Sequence, residues 1–410
     1  MNESSAYVIA GAGLARAKAA ETLRGEGFGG PVVLIGDEAE RPYERPPLSK
    51  DYLLGKAERD TIYVHPASWY ADNGVELRLG VPVTGIDRAA REVALADGSR
   101  IGYARLLLAT GSTPRRLPVP GAEADGVHYL RRVGDSDQIK ATFQAATRIA
   151  VIGAGWIGLE CAAAARAAGV EVTLLEAAEL PLLRVLGPEV ARVFAGLHRE
   201  HGVDLRFGVQ VSEITTAGGR ASGVRLGDGS HVQADAVIVG VGITPNTQLA
   251  EAAGLEVSNG VVVDAGLRSS DPDIFAAGDV ASALHPVLGR HIRVEHWANA
   301  LNQPQTAARA MLGQDVAYDK VPYFYTDQYD LGMEYAGYVE PGGYDQVLFR
   351  GDVDRREFIA FWLGGGRVLA GMNVNIWDVN DAIQALVNGG RPVDTARLAD
   401  AGVPLEEVAG

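Results

Sequence analysis

Two glycine-rich turns, each set between an apolar run and an alanine-rich run, constrain this chain more than any other feature. The first is Val8-Ile9-Ala10-Gly11-Ala12-Gly13-Leu14-Ala15-Arg16, and the second is Val151-Ile152-Gly153-Ala154-Gly155-Trp156-Ile157-Gly158. Such a turn between a buried strand and a helix lets the backbone approach a pyrophosphate and aims a helix N-terminus at its charge. Context strengthens both. The run Pro31-Val32-Val33-Leu34-Ile35-Gly36 ends in Asp37, and Val170-Glu171-Val172-Thr173-Leu174-Leu175 ends in Glu176. An acid about 20 residues beyond the glycines is where a ribose hydroxyl is held. Strand, turn, helix, strand and acid therefore follow in order twice, which predicts two Rossmann-like units holding two dinucleotides. The usual reason for two dinucleotides in one protein is to pass electrons between them. One position breaks the pattern. Arg16 stands where a third glycine would let the first helix pack closely on its strand, so its side chain is expected to splay the helix or to swing into solvent, and to weaken dinucleotide binding.

With 410 residues the chain is too long for a single core. It is 47% apolar and 22% charged, a globular composition, and no apolar run reaches the length of a membrane span. Met1-Asn2-Glu3-Ser4-Ser5 leads straight into the first strand with neither a basic nor an apolar leader, so a cytoplasmic location is expected. The net charge of −15 argues against a nucleic-acid partner. A single cysteine, Cys161, among alanines on the second predicted helix, excludes an intramolecular disulfide and reads as core packing. No metal site is read. Electrons entering this chain cannot pass through a cysteine pair within it.

The two halves follow one plan at a spacing of about 140 residues, which reads as duplication. Asp97-Gly98 and Asp228-Gly229 mark equivalent hairpins, and Leu106-Leu107-Leu108-Ala109-Thr110-Gly111 matches Val237-Ile238-Val239-Gly240-Val241-Gly242. Alternating short strands are expected around turns at Asn73-Gly74 and Asp97-Gly98. The loop Arg41-Pro42-Tyr43-Glu44-Arg45-Pro46-Pro47-Leu48-Ser49-Lys50 is kept irregular by its prolines and carries charges that read as functional. Ile274-Phe275-Ala276-Ala277-Gly278-Asp279 is a further strand ending in an acid. From about Tyr318 aromatic, alternating segments predict an antiparallel domain closed by a helix near 379–388. The expected architecture is α/β: a discontinuous first nucleotide domain at 1–108 and 240–317, a second at 109–239, and a C-terminal α+β domain at 318–410.

Taken together, Pro46-Pro47-Leu48-Ser49-Lys50, Ala109-Thr110-Gly111, Gly153 to Glu160, Gly242-Ile243-Thr244-Pro245-Asn246, Ala277-Gly278-Asp279, Glu295-His296-Trp297 and Asp327-Gln328-Tyr329 closely resemble the FAD-dependent, NADH-using ferredoxin reductases of bacterial oxygenase systems. Putidaredoxin and rubredoxin reductases typify that family, whose fold is that of glutathione reductase. The resemblance covers nearly the whole chain. It implies that Gly11, Gly13 and Ala15 lie along the FAD pyrophosphate, Asp37 holds the adenosine ribose, and Val83 lies along the adenine. Arg45, Ala109, Thr110, Gly111 and Gly278 would be further cofactor-binding residues, with Arg131 near the phosphates. Asp279 would bind the ribityl chain and Trp297 would lie against the flavin. Lys50 would sit beside the isoalloxazine ring, paired with Glu160, as the catalytic residues. Gly153, Gly155, Ile157, Gly158 and Glu176 would bind NAD(H), and Gly242 would be a further cofactor-binding residue. Tyr325 departs from the family, standing where several members carry tryptophan.

The resemblance implies electron transfer from NADH through FAD to a small, acidic iron–sulfur ferredoxin that serves an oxygenase such as a cytochrome P450. NADH gives two electrons together, an iron–sulfur protein takes one at a time, and a flavin converts between them. No acid–base group is required, so the eight histidines are not catalytic candidates. The C-terminal domain would meet the protein partner, with Arg309 or Lys320 steering it. The chain itself is expected to be a monomer or weak dimer. Two other readings share the same nucleotide sites: an NADH oxidase or small-molecule quinone or radical reductase, and a slow-turnover NAD-sensing flavoprotein like apoptosis-inducing factor.

Overall fold

The computed structural model describes residues 6–408. They divide into two compact units, one of the described residues up to 45 with 58–113 and 243–322, the other of 46–57, 114–242 and the described residues from 323 on.

In the first unit, four buried apolar stretches and one half-buried one form a parallel sheet in the order Ile274–Ala276, Arg105–Leu108, Tyr7–Ala10, Val32–Gly36, Val75–Leu79. The direction of winding reverses beside Tyr7–Ala10. That reversal opens the crevice at the strand C-termini where α/β sheets bind ligands. The first glycine turn sits there and feeds the helix Leu14–Gly25, whose alanine face packs on the helix Trp297–Met311. Gly11 is required by close approach: a Cβ there would lie 2.0 Å from the carbonyl oxygen of Ala109. The expected strand-and-turn run around Asn73-Gly74 is different in one part. Ala67–Asp72 is a short helix ended by Asn73, whose side-chain amide donates back to the Trp69 carbonyl, and only then does the strand Val75–Leu79 begin. Asp97-Gly98 does close a hairpin, between Glu92–Leu95 and Arg100–Gly102.

The second unit repeats the plan. Its parallel sheet runs Asp204–Phe207, Glu171–Glu176, Arg148–Ile152, Ala236–Val239, Val127–His128, with the second glycine turn feeding the helix Trp156–Ala167. Asp228-Gly229 closes the equivalent hairpin. Residues from Tyr323 onward form a five-stranded antiparallel sheet in the order Tyr323–Gln328, Leu331–Gly337, Arg367–Val374, Glu357–Gly364, Gln346–Asp352, followed by the helix Asn380–Gly389. One apolar core runs from the nucleotide sheet into this antiparallel sheet, joining Leu159, Leu174 and Ile238 to Phe324, Phe358 and Trp362. That continuity is why the C-terminal strands belong to the second unit.

Trp362 is fully buried at the centre of this shared core, and its indole N–H donates to the Leu186 carbonyl at 3.1 Å. Trp362→Ala should cost about 3–5 kcal/mol, read as a fall in the urea midpoint of the transition that unfolds the second unit. A midpoint equal to that of the parent would mean the two sheets do not share a core.

Candidate functional site

The first unit gathers most of the residues expected at its nucleotide cradle. Gly13 caps the helix Leu14–Gly25 without a side-chain partner, so its first-turn N–H groups face outward from the turn. Arg45 comes within 3.9 Å of the position a Cβ on Gly13 would take. Its guanidinium is held there by Glu38 at 3.0 Å and lies over the Tyr43 ring. Ala109 touches Gly11, and Ala15 lies 3.6 Å from where a Cβ on Gly278 would stand. Gly278 donates its N–H to Gln303 Oε1 at 2.9 Å, and the buried Asp279 follows in the same 3-10 turn. Thr110 and Asn246 clasp each other, hydroxyl to carbonyl and amide to carbonyl, both at 2.8 Å. Trp297 opens its helix with the indole N–H on Glu44 at 3.0 Å. An uncapped helix end, backbone that can approach closely and a braced guanidinium together fit a pyrophosphate. Asp37 is exposed just beyond the strand Val32–Gly36, and Val83 opens the strand Val83–Asp87. Arg131 belongs to the second unit, where its backbone N–H donates to Asp135.

Arg16 corrects the sequence expectation. It neither splays out nor reaches solvent. The residue is 0% exposed, and its guanidinium donates to the carbonyl of Gly11 at 2.8 Å and to that of Glu40 at 3.1 Å. Gly36 makes the room: a Cβ there would lie 2.3 Å from the guanidinium. Burial lowers the pKa of Arg16 to about 10, against the pull of Tyr70, Glu38 and Asp37. The steric argument for a weakened FAD site thus loses its premise, because the glycine missing at position 16 is matched by one at position 36.

In the second unit, Gly153, Gly155, Ile157 and Gly158 form the turn and first helical residues as expected. A Cβ on Gly158 would lie 2.0 Å from the Gly153 carbonyl oxygen, so here the third glycine is needed. Glu176 is braced against the turn, accepting from the N–H of Ala154 at 2.7 Å and of Ala178 at 2.8 Å. Gly242 receives the backbone N–H of Arg115 on its carbonyl at 2.9 Å.

The same unit holds the expected ion pair. Lys50 Nζ donates to Glu160 Oε1 at 2.7 Å, and the Lys50 ammonium lies 5.5 Å from the centre of the Tyr325 ring. Glu160 is 4% exposed on the helix Trp156–Ala167. An ion pair this buried persists only when further hydrogen bonds complete it. Two do: Ser49 donates to Glu160 Oε2, and Thr326 donates to Glu160 Oε1 at 2.6 Å. Neither was singled out from the sequence, although Ser49 adjoins Lys50 and Thr326 directly precedes the quoted Asp327-Gln328-Tyr329. Glu38 and Glu44, which brace Arg45 and Trp297, were likewise in plain view as charges of the proline-rich stretch and its approach. The neighbouring Cys161 is fully buried, and burial pushes its thiol up to about 12. Arg309, read as a steering cation, is instead paired with Glu26 at 2.8 Å.

Residues 5–304 match the pyridine nucleotide-disulphide oxidoreductase family. The chain belongs to that family. Residues 323–409 match the reductase C-terminal family, which accounts for the antiparallel sheet. The ferredoxin–NAD(+) reductase component of the anthranilate 1,2-dioxygenase system of Burkholderia cepacia is 43% identical over 98% of each chain. Putidaredoxin reductase of Pseudomonas putida is 40% identical over 100% of this chain and 97% of that one. The crystal structure of the ferredoxin reductase for the CYP199A2 system from Rhodopseudomonas palustris superposes with a TM-score of 0.95 at 37% identity, covering 99% of this chain and 100% of that one. The resemblance and the fold class read from the sequence are thereby borne out, and the cofactors that go with the family are FAD and NAD(H). Among the described residues no helix is long and apolar enough to cross a membrane.

Two predictions follow from this geometry. Arg16→Gly should open a cavity and leave the Gly11 and Glu40 carbonyls without their donor, costing about 1–3 kcal/mol. FAD should then leave the variant faster than the parent, and slower release from the variant would show Arg16 to be a burden. The second concerns the buried His198 and His296, whose pKa values burial lowers from 6.5 to about 4. Between those values the unfolded chain takes up protons that the folded chain refuses, so stability is lost as pH falls from 6.5 toward 4. Replacing His198 with Asn should flatten that part of the stability–pH curve. An unchanged slope would mean that the imidazole is protonated in the fold.

Proposed function

We propose that this chain passes electrons from NADH through FAD to a small iron–sulfur ferredoxin that serves an oxygenase such as a cytochrome P450. The observation that carries the proposal is the pairing of two glycine turns, each opening an uncapped helix, with a single, fully buried cysteine. The family's name speaks of disulfides, but this chain has no second thiol to form one. Its electron path therefore cannot run through a dithiol of its own and must lead to an acceptor outside the chain. FAD supplies the conversion when bound, taking an electron pair and releasing electrons singly. Relatives named as ferredoxin–NAD(+) reductases of oxygenase systems support a ferredoxin as that acceptor.

The residues divide the work. The first glycine turn with Arg45 binds the FAD pyrophosphate, Asp37 its ribose, Asp279 its ribityl chain, and Trp297, held by Glu44, orients the ring. The second turn binds NADH. Lys50 supplies a fixed positive charge where negative charge builds on reduction, and fixed charge in a dry site needs no reorganisation during transfer. Glu160 holds Lys50 until nicotinamide enters. Tyr325, beside the Lys50 ammonium, takes the place of the tryptophan carried by several family members. The test is NADH-driven reduction of a panel of ferredoxins, monitored by their visible spectra. Fast NADH consumption with oxygen or quinone alone, and none with any ferredoxin, would favour the oxidase reading instead.

Coenzyme choice should favour NADH. Glu176 is braced by two backbone N–H groups where a ribose 2′-hydroxyl would be met, its charge repels a 2′-phosphate, and Ala177 and Ala178 offer no cation beside it. A kcat/KM for NADPH equal to or above that for NADH would contradict this. Lys50→Met should slow flavin reduction in stopped flow while FAD stays bound, and reduction at the parent rate would remove Lys50 from the mechanism.

A further inference from the structure

The Lys50–Glu160 pair is the end of a buried chain of hydrogen bonds that starts at the tip of the C-terminal hairpin. Beyond the contact of Thr326 with Glu160, Gln328 Nε2 donates to Thr326 Oγ1 at 3.2 Å. Gln328 Oε1 meets His198 Nε2 at 2.8 Å, and the other ring nitrogen of His198 meets the Tyr329 hydroxyl at 3.4 Å. Thr326, Gln328 and His198 are all buried, and the ring of His201 stacks on Tyr329 with centroids 3.8 Å apart.

The direction of the first three donors in this chain is forced from one end, and that of the fourth follows while the His198 ring is neutral. An ionised carboxylate accepts only, so the Thr326 hydroxyl proton points at Glu160. The hydroxyl oxygen then has only lone pairs to offer, so the Gln328 amide presents its NH₂ to Thr326 and its oxygen to His198. His198 must carry its proton on Nε2, which leaves Nδ1 bare to accept from the Tyr329 hydroxyl. Burial keeps that imidazole neutral, and it raises the Tyr329 phenol, so the phenol remains a donor. All four donors thus point toward Glu160. Aligned hydrogen bonds in a water-poor interior polarise one another. The amide of Gln328 cannot both receive and release a proton in one step, so the chain holds protons in place and does not conduct them.

We propose that Thr326, Gln328 and His198 are positioning residues: a one-way relay through which the C-terminal hairpin orients the Glu160 carboxylate, and through it Lys50, for electron transfer from NADH. The proposal rests on the reading of Lys50–Glu160 given above. It assigns the C-terminal sheet a part in the NADH half-reaction in addition to any contact with a protein partner. Evolutionary change at the hairpin would then tune the rate of flavin reduction without touching either nucleotide cradle.

The test uses the FAD-loaded protein. Thr326→Val removes the last donor at nearly constant volume, and Thr326→Ser keeps it. Gln328→Leu cuts the relay one step earlier. Thr326→Val should lower the limiting rate of flavin reduction roughly tenfold, the size of one hydrogen bond to a charged group, with the NADH dissociation constant unchanged. Thr326→Ser should recover most of the loss. Gln328→Leu should fall in between, and it carries the same comparison if Thr326→Val does not fold. A readout independent of turnover is the ¹⁵N spectrum of labelled histidine, with His198 assigned by the signal lost in His198→Asn. It should show a neutral Nε2–H ring near neutral pH. A Thr326→Val or Gln328→Leu variant that reduces at the parent rate, a Thr326→Ser variant as slow as the valine, or an Nδ1–H or charged His198 would each overturn the relay. Parent-rate reduction in Lys50→Met would instead sink the role given to the ion pair, while the proton arrangement still stands or falls on the spectrum.

Discussion

Backbone meeting backbone at the two glycine turns is the constraint on which the rest of this protein depends. A Cβ on Gly11 would lie 2.0 Å from the carbonyl of Ala109, and one on Gly153 would lie 2.4 Å from that of Gly240. These contacts join the end of the central strand to the end of the strand beside it, across the point where the winding of each sheet reverses. They leave a crevice lined by backbone at the foot of an uncapped helix, and no side chain need supply it. Segments far apart in the chain converge there for that reason. Ala109 and Gly278 come to the first turn, and Gly240 to the second.

The two halves meet the next requirement, close packing of helix on strand, by different means. At Gly158 the helix lies against the turn, with no room for a side chain. At Arg16 a long side chain is threaded into the interior and secured by two carbonyls, and the space comes from a glycine on the neighbouring strand. A buried guanidinium is costly unless its protons are used. Here the two terminal nitrogens are used, and they tie the first turn to the segment after Gly36.

Glu160 poses a related problem. A carboxylate this buried is tolerable because three donors from two distant segments converge on it: Ser49 and Lys50 from the proline-rich loop, and Thr326 from the C-terminal sheet. Removing one partner from such a site costs more than the pair contributes, since the remaining charge stays buried. This makes the loop 46–57 and the strand Tyr323–Gln328 parts of one arrangement within the second unit, although 265 residues separate the loop from the strand. Cys161 lies beside the cluster, its thiol raised by burial and by the neighbouring carboxylate.

Much of this was legible in the residues alone. The two nucleotide units, the hairpins at Asp97-Gly98 and Asp228-Gly229, the helix Asn380–Gly389 and the ferredoxin-reductase resemblance all rest on local patterns, because glycine turns, apolar strand runs and turn pairs act over a few residues. Lys50 and Glu160 could be named as partners only through the family likeness. What local pattern does not carry is the identity of the atoms that meet across long separations. Nothing in the run Gly11 to Arg16 announces that Gly36 has vacated the space for a guanidinium, so position 16 reads as a defect until the strand beside it is in place. Ala67–Asp72 likewise takes a helical form that its few residues do not announce. Thr326, Gln328 and His198 are ordinary polar residues in sequence. They become a single directed chain only when the antiparallel sheet closes on the helix Leu183–Glu200 and removes the water that would otherwise satisfy each of them separately.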